Sequence, residues 1–173
     1  MKKFLLIPFA FFAVIANAQL LKWTPDFIKE SATPVTITMD ANFGNKGLLN
    51  YTPTTDVYVH IGLITNKSTS PSAWQHVKFN NFNAPDPSVQ TTYLGNNKWS
   101  FTINGGLRPF FNVTDASETI QKIAILFRSG NGSKKQANTD GSDMYIPVYD
   151  NGVYARLDTP LRQPTYIPVP EPI

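Results

Sequence analysis

Tyr58 and His60 alternate with Val57, Val59, Ile61 and Leu63 in the run VYVHIGL, and Trp74 follows after a short polar stretch. Apolar residues at period two belong to one buried face of a strand, which puts Tyr58 and His60 on the other face. Beyond Trp74, the segment from Gln75 to Phe79 reads as a further short strand, with Val77 and Phe79 inward and His76 and Lys78 outward beside Trp74. Neighbouring strands of this kind would present a flat aromatic patch. The chemistry open to such a patch is stacking: pyranose rings have apolar C–H faces that lie on aromatic surfaces, while flanking polar groups read the hydroxyls. Trp74 has an alternative use as a cap on the open end of a sandwich.

Other chemistries lack their constellations. Glycoside hydrolysis needs two carboxylates held across a bond, one of them usually in an apolar setting. Here Asp40, Asp56, Asp86, Asp115 and Asp143 fall in turns or at strand ends, as solvated loop residues do. His60 and His76 lack a third ligand in the sequence for zinc. No Gly-rich phosphate loop or nucleophile elbow is present. These absences predict no catalytic residue, no metal and no cofactor. The chain has no cysteine, so disulfides, thiolate sites and a lipid-bearing cysteine are unavailable. Its formal charge of +3 includes Lys2 and Lys3, and no basic block exceeds Lys134-Lys135, which argues against a nucleic-acid partner.

The elements that must position these residues follow from the pattern along the chain. Lys2 and Lys3, the apolar run Phe4 to Ile15 and the site Ala16-Asn17-Ala18 match a secretory signal peptide, cleaved after Ala18. Its apolar run is shorter than the roughly 20 residues of a membrane helix, so the protein is expected to be secreted or periplasmic and not held in a membrane. Residues 19–33 read as a lead segment, 34–158 as one β domain and 159–173 as a Pro-rich, extended linker to a further domain. Within the domain, Val35 to Met39 alternates as a half-buried strand, and residues 41–55 form a long Gly/Asn/Thr-rich loop. Val89 to Leu94 and Lys98 to Ile103 flank Gly95-Asn96-Asn97 as a hairpin, with Trp99, Phe101 and Ile103 facing the core. Arg108 to Glu118 has room for one helical turn, and Thr119 to Arg128 reads as a central strand. Residues 130–143 read as a polar loop, Met144 to Tyr149 as a strand, and Asp150-Asn151-Gly152 as a turn into a last strand, Val153 to Leu157. Seven to eight short strands without a long helix predict an all-β, immunoglobulin-like β-sandwich.

VYVHIG followed by Trp74, together with ILFRSGNGSKKQANTDGSDMY, resembles the β-sandwich starch-binding modules of secreted bacterial α-amylases. The span from about Pro34 to Leu157 is also similar to the N-terminal immunoglobulin-like domain that precedes the catalytic barrel in some of these enzymes. The resemblance implies that His60 and Trp74 stack on glucose, with Tyr58 as a further member. It departs in the later loop, where Ser133, Lys134 and Lys135 occupy the place of a second Trp. The expected function is therefore a non-catalytic accessory module that binds starch or a related α-glucan through His60, Trp74 and Tyr58, with Asn131 and Asp143 adding hydrogen bonds. The alternative is a spacer or docking domain for a following α-amylase-type catalytic domain, without sugar binding.

Overall fold

The computed structural model describes residues 19–153; the expected signal peptide, residues 154–157 of the expected last strand and the expected Pro-rich linker lie outside the described residues. Among the described residues, eight strands form two four-stranded antiparallel sheets. The first sheet contains β1 (Leu21–Thr24), β2 (Val35–Asp40), β4 (Thr92–Gly95) and β5 (Lys98–Ile103), in the order β1-β2-β5-β4. The second contains β3 (Val57–Thr65), β6 (Ile120–Ser129), β7 (Lys135–Gln136) and β8 (Met144–Pro147), with β3 on one side of β6 and β7 and β8 on the other. A short helix, α1 (Leu107–Phe111), links β5 to β6. This is the strand order of an immunoglobulin-like sandwich, with β7 and β8 sharing the position of the last strand.

Alternation builds the core. Val35, Ile37 and Met39 of β2 lie opposite Ile103, Phe101 and Trp99 of β5, all on the inner face. Val57, Val59, Ile61 and Leu63 of β3 face them from the second sheet, beside Phe127, Ile125 and Ile123 of β6. Trp99 is fully buried, as its alternation predicts, and its indole N–H donates to the Thr54 carbonyl at 2.9 Å.

Three expectations require correction. Residues 19–33 are not a lead outside the sandwich: Leu21 pairs opposite Met39, and Leu21 and Ile28 are buried in the core. Two apolar positions are too few to show a period, so this edge strand is defined by its partner. Residues 130–143 are not all loop, since β7 pairs Lys135 and Gln136 with Arg128 and Phe127. The buried Gln136 amide holds the 41–55 loop, donating to the Phe43 carbonyl at 2.7 Å and accepting from Leu48 N–H at 3.2 Å. A Cβ on Gly47 would stand 1.9 Å from the Lys135 carbonyl oxygen, so this loop closes on β7 only with glycine there. Finally, no strand runs from Gln75 to Phe79: Gln75 pairs with Leu63, but His76 takes φ 51°, which ends extended backbone at once.

Candidate functional site

The candidate site lies on the outer face of the second sheet. There Tyr58, His60 and Gly62 of β3 lie opposite Arg128, Leu126 and Ala124 of β6. The connection from β3 to β4 does not leave this face open but returns along the free edge of β3. Gln75 and Leu63 exchange two main-chain hydrogen bonds of 2.7 and 2.8 Å, Lys78 N–H donates to Ile61, and Thr91 N–H donates to Val57. Between these anchors the connection carries its aromatic side chains over the sheet. Gly62 makes room for it: a Cβ there would approach the Gln75 carbonyl at 3.0 Å and the Trp74 ring at 3.3 Å.

Trp74 stacks on His60 with ring centroids 5.2 Å apart and planes at 24°, and Phe82 meets His60 edge-on at 5.2 Å. Arg128 is fully buried between the rings of Tyr58 and Phe82, at 5.6 and 5.4 Å from their centroids. Its guanidinium donates to the carbonyls of Ser129, Gly130 and Ala84. A charged group isolated from water is tolerable when it is partnered, and here π faces, with carbonyls at the two terminal nitrogens, take the place of a carboxylate. His60 Nδ1, Trp74 Nε1 and Arg128 Nε are buried nitrogens with no hydrogen-bond partner among the described residues.

The structure thus brings His60 and Trp74 together, but not as a flat surface. One ring face of each is used against the other, and both rings are only partly exposed. Tyr58, expected to face outward, is buried at 8% exposure because the connection and Arg128 cover it. Asp143 is partly buried and its charge reaches His60. Asn131 lies in the exposed turn after β6, where its carbonyl oxygen accepts from Ser129 Oγ, Ser133 N–H and Ser133 Oγ. That turn abuts the cluster, since a Cβ on Gly132 would stand 2.8 Å from the Phe82 ring. Sequence reasoning missed Phe82 and Arg128. The usable signal for Arg128 was a charged residue inside the apolar strand IAILFRS; Phe82 sits in an Asn-rich loop and carried none.

Burial first, and then the charge of Arg128, push the His60 imidazole below its ordinary pKa, against smaller opposing effects of Asp143 and the Phe79 main chain. An unfolded histidine titrates near 6.5, so below that pH the unfolded chain binds this proton more readily than the folded one. Stability contributed by neutral His60 is complete above about pH 6.5 and is lost as pH falls towards the lowered folded value. His60→Phe is expected to flatten this slope, measured as denaturant midpoints between about pH 5 and about pH 8. Equal slopes in both proteins would refute the assignment.

A cleft of about 840 Å³ lies elsewhere, at the start of β6 between Glu30, Arg108, Ile120 and Tyr149. Its Arg108 is occupied by Glu30 at 2.9 Å and by the main-chain carbonyls of Glu118 and Asp115, so the aromatic cluster remains the better candidate for ligand chemistry. Among the described residues no group of three His, Cys, Asp or Glu side chains is placed to hold a metal ion, and no helix is long and apolar enough to cross a membrane. No protein-family model matches the chain, and no curated protein matches it significantly.

Proposed function

We propose that this chain is a non-catalytic accessory module of a secreted α-glucan-degrading protein and binds polysaccharide through Trp74. The observation that supports this reading is the partly exposed Trp74, its indole held by stacking on His60 and packed over Gly62. His60 is the backing plate of Trp74, and the remaining exposed part of the indole is the surface offered to a pyranose. Tyr58 acts from beneath, through Arg128 and Phe82. A single stacked aromatic contributes only about 0.5–1.5 kcal/mol beyond the area it buries, before the cost of association. Binding is therefore weak for one site, and its benefit is proximity: a tethered enzyme experiences a raised substrate concentration.

Affinity electrophoresis in gels with and without soluble starch tests this. The wild-type chain is expected to be retarded, and Trp74→Ala, checked for folding by thermal melting, is expected to lose about tenfold or more in affinity. Unretarded, folded wild type would overturn the sugar-binding reading. The second reading, a spacer or docking domain before a catalytic domain, is favoured by how much of the aromatic surface is spent on internal packing: Tyr58 is buried and His60 meets both Trp74 and Phe82. In that case Trp74→Ala changes docking of the following domain and leaves migration in starch unaltered.

A further inference from the structure

We propose that Glu118, far from the stacked rings in sequence, is the positioning residue for Trp74, acting through His76. The inference rests on Trp74 being the binding residue only for its consequence in sugar affinity; the geometry stands apart from it. Trp74 has no hydrogen bond from its indole among the described residues, and its ring is kept in place by packing on His60 and over Gly62. What sets the ring is therefore the path of its own backbone. On its C-terminal side that path is fastened twice in succession: Gln75 binds the edge of β3 through the main chain, and His76 turns into the left-handed region at φ 51°. That turn points the imidazole at Glu118, whose Oε1 lies 3.0 Å from His76 Nε2.

Glu118 is built to receive it. It lies just before β6, is only 5% exposed, and its Oε1 also accepts from Thr65 Oγ1 at 2.8 Å, at the end of β3. Lys67 stands 3.7 Å from the other oxygen and pairs with Asp115. Arg108, itself paired with Glu30, donates to the Glu118 main-chain carbonyl. Burial alone would raise the Glu118 pKa, but the hydrogen bonds from Thr65 and His76 and the charges of His76 and Lys67 outweigh it and hold the carboxyl below its ordinary value. A buried carboxylate joined at once to the end of β3 and to the segment beside Trp74 ties the connection to the sheet. Charge-assisted hydrogen bonds of this kind are about twice as strong as neutral ones. A left-handed histidine is uncommon for a non-glycine residue, and the bond to Glu118 is what it gains here.

Hydrogen exchange of indole N–H groups in the full chain tests the proposal, because the protein supplies its own control. The Trp99 indole lies in the core, bonded to Thr54, and reports global unfolding, whereas Trp74 reports local opening of the connection. Glu118→Gln is expected to lower the protection of the Trp74 indole by about tenfold, with Trp99 protection falling by a similar factor, because global unfolding breaks the same bond. His76→Asn, which tolerates the left-handed backbone but loses the ring contact, is expected to do the same. Combined, the two changes are expected to be no worse than either alone, since they remove one interaction. Starch retardation should weaken in step with the loss at Trp74. Unchanged Trp74 protection in folded Glu118→Gln, whether or not Trp99 protection falls, would overturn the positioning role, and His76→Asn decides the matter alone if Glu118→Gln does not fold. If the wild type does not bind starch, the functional reading fails while the exchange data still judge the role of Glu118.

Discussion

Arg128→Leu is expected to destabilise the protein by about 3 kcal/mol, seen as a fall of roughly 10 °C in melting temperature. Leucine fills much of the space of the arginine stem, so the loss is not mainly a cavity. It arises because three carbonyls, those of Ala84, Ser129 and Gly130, lose their donor in a buried setting, and because the rings of Tyr58 and Phe82 lose the cation between them. Burial depresses the guanidinium pKa, countered by Tyr58, Asp56 and Asp86, yet arginine remains charged at every working pH. Its contribution is therefore expected to be independent of pH between about pH 7 and about pH 9, above the range in which its charge acts on His60. Arg128→Lys keeps the charge but not the planar fork that meets three carbonyls at once, and should recover less than half of the loss. Because Ala84 and Phe82 belong to the connection that also carries Trp74, the Leu variant should loosen that segment as well. A melting temperature within about 2 °C of wild type would show that the guanidinium does not hold the connection.

The larger effect is expected at Trp99. Trp99→Ala should cost about 4 kcal/mol and lower the melting temperature by roughly 15 °C. The side chain is fully buried between the sheets, opposite Met39, and its N–H satisfies the Thr54 carbonyl at the end of the 41–55 loop. Tyr93 lies against it at 5.0 Å and shields it at the β4 edge. Alanine would remove the packing, open a cavity and strand that carbonyl, three losses with no relaxation that repairs all of them. Trp99→Phe refills most of the volume and leaves only the hydrogen bond missing, so it should lose about 1–2 kcal/mol. Equal melting temperatures for the Ala and Phe variants would contradict the packing account.

These two residues and Trp74 divide the aromatic content of the protein by role. Trp99 joins the sheets, Arg128 with Tyr58 and Phe82 fastens the connection to the outer face, and Trp74 is left at the border with solvent. The flat platform expected from Tyr58, His60 and Trp74 does not form because the β3–β4 connection covers the strand that carries the first two. The same cover packs Tyr58 and His60 internally and leaves one indole for the sugar binding proposed above.

The alternation in VTITM, VYVHIGL, KWSFTI and the apolar stretch of β6 determined by itself which residues share an inner face, and with it the sandwich, the hairpin at Gly95-Asn96-Asn97 and the burial of Trp99. A period of two is a local property, set by the pleat of each strand, and needs no knowledge of what lies across the chain. What covers an outer face is not local. The burial of Tyr58 depends on a connection that returns along β3; the pairing of Leu21 with Met39 depends on a partner already in the sheet. The meeting of His76 with Glu118 depends on a left-handed turn that one histidine does not announce. Tertiary structure decided these points because each joins residues distant in sequence through contacts that the chain makes only once both sheets are in place.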